Sequence, residues 1–324
     1  MSSKTINVLC STDDNYAPYC GIMLTSLLEN NRDCDFLIYV FLNGTLSKIN
    51  EDKFVLLEKK YWCRICRMSV SPEISDKFIV NKNSGINTHT WVTAATFFRL
   101  LAADLLPSDI HKVLYFDCDL VVNGSIRSLW DVDLKGKAFA GVLDDNSDEN
   151  CKRLGYPIDD GYMNAGVALY NLDYWREYDI TAQFYEYMSD NRDKIILMDQ
   201  DIINGTLHGK GILLPERYNF LVTYFYRNCW RSFSDPYKEK LVEESKHAAI
   251  IHYCGGIKPW DFRYFGSPFW TVWERYRKMS QWRKAHITKP RAVYLKTLLK
   301  CLLFPKYIRN RRSLWVYSPY SWFF

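Results

Sequence analysis

Two aspartates interrupt a largely apolar run. The stretch KVLYFDCDLVV, residues 112–122, sets Asp117 and Asp119 between Val113-Leu114-Tyr115-Phe116 and Leu120-Val121-Val122. A carboxylate inside such a segment is costly unless it is paired or binds a metal. Read as one strand, the segment sends residues two apart to the same face. The two carboxylates then offer hard oxygen ligands to one divalent cation, Mg2+ or Mn2+. Taken alone, the spacing fits equally well a strand end whose aspartates are solvated.

Two further clusters carry compatible chemistry. In HYCGGIKPW, His252 ends an apolar run, and an imidazole beside two carboxylates favours Mn2+ over Mg2+. Gly255 and Gly256 allow close backbone approach to a ligand, and Lys258, beside Pro259 and Trp260, is a point charge able to meet a phosphate. By itself this is also the pattern of a core histidine before a turn. In CSTDDNYAP, Asp13 and Asn15 follow the first apolar run, where a base or ribose can be read by hydrogen bonds; an Asx turn is the plainer alternative. Neither GxGxxG nor GxxxxGK[ST] follows that run, so nicotinamide-type dinucleotide sites and P-loops are poor fits.

The elements needed to position these residues alternate. Residues 5–12, 36–44, 137–145, 162–172 and 247–260 read as strands. Residues 19–29, 46–61 (with Ser47 as cap) and 88–104 read as helices, as do DYWREYDITAQFYEYMSD and a shorter one opened by DQDIINGTL, 199–207. Such alternation predicts an α/β chain with a parallel, doubly wound sheet, whose ligands bind beyond the carboxyl ends of the strands. CSTDDNYAP lies at one such end.

The chain has 324 residues, 48% hydrophobic and 24% charged, enough for a large core and unlike a disordered protein. Charge is uneven. Residues 277–324 hold twelve Lys or Arg and no acid; the remainder holds 42 − 12 = 30 basic and 37 acidic residues, a net of −7. Within the basic tail, AVYLKTLLKCLL (292–303) places Leu295, Leu298, Leu299, Leu302 and Leu303 on one stripe flanked by Lys296 and Lys300 and stopped by Pro305. With the aromatic SLWVYSPYSWFF, this predicts an in-plane helix on an anionic membrane surface. Docking on the protein's own core is the alternative, and a nucleic-acid-binding tail is less favoured. Ten scattered cysteines with a single CxxC (Cys63, Cys66) read as idle or buried thiols. With no leader-like start and no apolar run of about 18 residues, the expected location is the cytosol, peripheral to the inner face of the plasma membrane.

The joint, ordered occurrence of DDNYAP, TFFRL, VLYFDCDLVV, YMNAGVALYNL, DQDIING and HYCGGIKPW resembles glycosyltransferase family 8, the retaining α-galactosyl- and α-glucosyltransferases of bacterial lipopolysaccharide assembly. Similarity runs from about residue 5 to 262. The resemblance implies a GT-A fold: a Rossmann-like, doubly wound mixed sheet at residues 1–265, followed by a helical, basic-aromatic extension at 266–324. It implies a UDP-glucose or UDP-galactose donor, Mn2+ (Mg2+ as a substitute) held by Asp117, Asp119 and His252, and a cell-envelope glycan acceptor. It assigns donor contacts to Ser11, Asp13, Asn15, Tyr16, Arg99, Asp144, Asn164, Gly255 and Lys258, and the reacting face to Asp199 and Gln200. Gln200 is an amide and a feeble nucleophile, which favours same-face attack over a covalent intermediate. Trp91 falls where relatives vary and where the acceptor would approach, so the acceptor does not carry over. Cys118 is expected to point away as core packing. A self-glucosylating, glycogenin-like enzyme and a UDP-sugar-binding protein without turnover are the alternatives.

Overall fold

The computed structural model describes residues 5–74, 94–261, 264 and 269–285. Among the described residues, ten strands form two sheets: β1 (Ile6–Thr12), β2 (Phe36–Asn43), β3 (Arg64–Val70), β4 (Lys112–Phe116), β5 (Leu120–Val122), β6 (Phe139–Leu143), β7 (Met163–Asn171), β8 (Gly211–Leu213), β9 (Phe220–Leu221) and β10 (Ile250–His252). The large sheet runs β3-β2-β1-β4-β7-β6-β8 and the small one β5-β10-β9. β3, β2, β1 and β4 are mutually parallel, whereas β7 is antiparallel to both β4 and β6. The sheet is therefore mixed, not wholly parallel.

Both faces of the large sheet are buried, as parallel strands require. Val8 and Cys10 of β1 pack with Ile38, Leu114, Phe116 and the helix Ala17–Asn30. Leu9, Tyr39, Phe41 and Tyr115 face the opposite side, against Phe98, Trp175 and Phe184. Period-two alternation thus feeds two cores from one strand. The helix Trp270–Met279 and the turn after it join the first core: Trp273, Tyr276 and Trp282 are buried there, and the Asn30 side-chain amide donates to the Tyr276 hydroxyl at 2.7 Å.

Four expectations are corrected in detail. The expected single strand 112–122 is two: β4 belongs to the large sheet and β5 to the small one, with Asp117-Cys118-Asp119 as the crossing between them. The large-sheet ladder ends where Asp117 N donates to Gly166 O at 2.8 Å, and the second begins where Tyr253 N donates to Asp119 O at 2.9 Å. Residues 94–101 form a 3-10 helix, with an α-helical turn only at Ala102–Leu105; residues 88–93, including Trp91, lie outside the described residues. DYWREYDITAQFYEYMSD is broken into helices Leu172–Glu177 and Ile180–Asp190 by Asp179, whose φ of 46° leaves the helical region while its carboxylate caps the second helix. Of 247–260 only Ile250–His252 is paired as a strand. The expected helix at 292–303 and the aromatic end of the chain also lie outside the described residues. Ser47 does cap the helix Lys48–Tyr61, accepting from Asn50 N.

Candidate active site

The two sheets meet at the carboxyl end of β4, and the predicted carboxylates sit at that seam. One ligand atom each from Asp117, Asp119 and His252 lies within 4.8 Å of the others. His252 Nε2 is 3.3 Å from Asp119 Oδ1 and 3.9 Å from Asp117 Oδ2. β10 pairs antiparallel with β5, opposing His252 to Leu120, and so carries the imidazole back over the carboxylates. Gly166 of β7 is what makes room: a Cβ there would stand 2.2 Å from His252 Cε1 and 2.8 Å from Asp117 Oδ2.

Each ligand is oriented from behind. His252 Nδ1 lies 3.0 Å from Asn219 Oδ1, which leaves Nε2 for the cluster when Nδ1 carries the proton. Asn219 in turn donates to Asn164 Oδ1 at 2.9 Å. Asp117 Oδ1 accepts from Arg99 Nη2 at 2.6 Å and from the Tyr115 hydroxyl at 3.0 Å. Asp119 Oδ2 accepts from the Lys258 ammonium, which also donates to Tyr253 O at 3.2 Å. Burial alone would raise the Asp119 carboxyl, but Lys258 and then His252 hold it well below the usual range. Two carboxylates and an oriented imidazole converging on one point fit a divalent cation.

Beside this corner lies a second one. Asp144 Oδ2 accepts from Asn164 Nδ2 at 3.0 Å and from Gln200 Nε2 at 3.1 Å, while Gln200 Oε1 accepts from Ala165 N at 3.0 Å. Both ends of the Gln200 amide are therefore engaged. Desolvation, then the neighbouring Asp145, pushes Asp144 up to about 6. Asp199, the first residue of the helix Asp199–Leu207, pairs with Arg99 Nε at 3.0 Å. Burial still pushes Asp199 up to about 7, which Arg99 offsets only in part. Arg99 is 4% exposed; it touches both corners, donates to Ala165 O at 2.8 Å, and lies over the Tyr115 ring.

The remaining predicted positions cluster at the end of β1 and after β10. Asp13 Oδ1 accepts from Tyr16 N at 2.8 Å, and Asn15 is exposed. Tyr16 and Tyr19 meet Trp260, the latter stacked at 3.7 Å, which fastens the DDNYAP loop to the end of HYCGGIKPW. Ser11 Oγ is buried and has no hydrogen-bond partner in the described structure, while Ser11 O accepts from Cys118 Sγ. Cys118 is buried, as expected of packing. Gly255 has φ +91°, a conformation that favours glycine, with Tyr226 and Thr223 beside it.

Sequence reasoning passed over Asn219, Gly166, Tyr115 and Asp201. Asp201 is fully buried and accepts from Arg153, the Tyr162 hydroxyl and the backbone N–H groups of Ile196 and Leu197, fixing the approach to Asp199 and Gln200. Its place in DQD was a visible signal; a lone Asn219 between short elements gave none.

A mixed α/β sheet with a carboxylate–imidazole cluster at its carboxyl edge defines the GT-A class of glycosyltransferases, and the known proteins agree. The family model for glycosyl transferase family 8 matches residues 7–263, and the chain belongs to that family. It is 30% identical over 266 residues to the lipopolysaccharide 1,2-glucosyltransferase of Escherichia coli K12, covering 80% of this chain and 74% of that one. It is 26% identical to general stress protein A of Bacillus subtilis (80% and 88% covered). A crystal structure of the galactosyltransferase LgtC with donor and acceptor sugar analogues superposes with a TM-score of 0.71 at 26% identity, covering 89% of this chain and 98% of that one.

Proposed function

We propose that the chain transfers glucose or galactose from a UDP-sugar, with retention at the anomeric carbon, to a cell-envelope glycan such as lipopolysaccharide core or a lipid-linked oligosaccharide. The observation that carries this is the convergence of Asp117, Asp119 and His252 next to Lys258, at the strand end where the β1 loop also lies. Glucosyl- and galactosyltransferases of lipopolysaccharide among the relatives support the substrate class: the E. coli protein above, and a Salmonella typhimurium lipopolysaccharide 1,3-galactosyltransferase 27% identical over 262 residues.

A divalent cation held by Asp117, Asp119 and His252, Mn2+ by preference, would supply positive charge to the departing diphosphate. The chain's own residues do the rest. Lys258 adds a cation to the same leaving group, exchanging its contact with Asp119 for one with phosphate oxygen. Ser11, Asp13, Asn15 and Tyr16 receive the nucleoside, and Gly255 lets backbone approach phosphate. Asn164, Asp144 and Asp199 read sugar hydroxyls, with Arg99 fixing Asp117 and Asp199 together. Retaining glycosidases place a free carboxylate on the far face of the sugar. Gln200 is an amide whose two ends are already bonded, so attack from the face of the leaving phosphate is the better reading. The enzyme works at the cytoplasmic membrane surface, approached by the basic tail from residue 277.

Incubating the full chain with a panel of UDP-sugars and Mn2+ should release UDP from UDP-glucose or UDP-galactose, and an acceptor panel should then convert hydrolysis to transfer. Turnover that is unaffected by chelation, or a preference for another nucleotide, would overturn the assignment.

A further inference from the structure

Asp14, the middle acid of CSTDDNYAP, has a task unlike that of Asp13 and Asn15 on either side of it. Its carboxylate reaches back to the helix Lys48–Tyr61, where Oδ1 accepts from Ser47 N at 2.7 Å and from Asn50 Nδ2 at 2.8 Å. Asn50 Nδ2 also donates to Asp14 O at 3.1 Å. That carbonyl belongs to the peptide plane leading into Asn15, and a peptide plane turns as one unit. Asn50 therefore holds both the Asp14 side chain and the plane from which Asn15 projects. Although desolvation would raise the Asp14 carboxyl, the hydrogen bonds from Asn50 and then Ser47 keep it below the usual range.

A side-chain amide has nearly the same shape either way round, so something must decide which end faces Asp14. Trp282 does. An indole N–H can only donate, and this one donates to Asn50 Oδ1 at 2.8 Å. The amide oxygen is thereby turned to Trp282, and the nitrogen is left facing Asp14. With the amide reversed, an oxygen would oppose the Asp14 carboxylate. Trp282 has no room to follow such a change. It is 1% exposed, meets the Phe54 ring edge-on with centroids 5.0 Å apart, and lies directly on the helix Ala17–Asn30. A Cβ at Gly21 of that helix would stand 2.0 Å from Trp282 Cζ3. One indole thus bears on both helices that flank the loop, one of which starts at Ala17, where the loop ends.

We infer that Asn50 and Trp282 are positioning residues for the nucleoside half of the donor. Both act through Asp14, setting where Asp13 and Asn15 stand. The inference rests on the nucleoside role proposed for those two residues. The diphosphate half is assigned to Asp117, Asp119, His252 and Lys258, which lie outside this relay of contacts. Disturbing the relay should therefore weaken recognition of the nucleoside and spare recognition of the diphosphate.

Full-length chain with Mn2+ is titrated in a calorimeter with UDP and, separately, with inorganic pyrophosphate. Trp282→Phe keeps an aromatic ring over Gly21 and removes the N–H. UDP affinity should then fall by about threefold to tenfold, the worth of one buried hydrogen bond, with pyrophosphate affinity held within about twofold. Asn50→Asp still accepts from the indole but sets an oxygen against the Asp14 carboxylate, and should cost at least ~10-fold in UDP affinity. Adding Trp282→Phe to Asn50→Asp should cost little more, because the two residues act in series. Loss of UDP and pyrophosphate affinity in equal measure overturns the inference, since a merely structural role does that. So do additive losses in the double variant, or UDP affinity unchanged in both single variants. A wild-type chain that does not bind UDP overturns the nucleoside reading itself, and this inference with it.

Discussion

The two corners of the candidate site use the same residue type in opposite states. At the candidate metal corner, Asp119 is held ionised by Lys258 and His252. At the second corner, Asp144 and Asp199 are pushed up, to about 6 and about 7, because burial outweighs the charge and hydrogen bonds that reach them. Arg99 touches both corners, yet it lowers Asp199 only part of the way. What separates the corners is access to cations. Where cations converge, a carboxylate is a permanent anion suited to a metal. Where they do not, it can hold a proton near neutral pH and suits hydrogen bonds to neutral hydroxyls.

The largest effect is expected from removing an anion at the metal corner. Asp119→Ala should lower Mn2+-dependent release of UDP by about a thousandfold or more, and wild-type rates in that variant would dissolve the distinction between corners. Next comes a test of the raised carboxyl. A folded-state value above the ordinary one means the native state holds the proton more tightly, so its stabilising share is complete below about 4 and is lost as pH rises through about 7. Urea titrations of wild type against Asp199→Asn should therefore diverge between those limits, the variant gaining relative stability with pH by up to about 4 kcal/mol. A pH-independent difference would place Asp199 with Asp119. A smaller effect tests orientation: Asn219→Ala frees the His252 ring and should weaken Mn2+ binding by about 10- to 100-fold in calorimetry, leaving the Asp199 stability slope intact. The smallest concerns the thiol between the two ligands. Cys118→Ala should cost about 1 kcal/mol of stability and leave Mn2+ affinity unchanged, since its polar contacts are to the Cys20 thiol and to Ser11 O.

How legible this was depended on element length. β1, β2, β4 and β7 are apolar runs, and the sequence announces them. β3, RICRMSV, was passed over because an edge strand with exposed Arg64 lacks a continuous apolar signature. β8 and β9 span two or three residues, too few for any periodicity to register, whereas β10 was read from its apolar run but as a much longer strand. The carboxylates were found for an incomplete reason. Asp117 and Asp119 share a side because the chain leaves one sheet for another between them, not because one strand alternates through both. His252 and Lys258 were visible as types. Asn219 and Gly166, which aim and admit the imidazole, act through position alone, and position is what folding adds.

The contact between Trp282 and Asn50 has a consequence for the order in which this protein can be made. Its partners are 232 residues apart, and Asn50 also holds the Asp14 loop. Lys258 and Asp119 are separated by 139. During synthesis the early strands emerge and can pair, but Asp119 lacks its Lys258 partner until residue 258 has left the ribosome, and Asn50 lacks its Trp282 partner until residue 282 follows. The full set of these contacts is thus complete only after the helix Trp270–Met279 has been made.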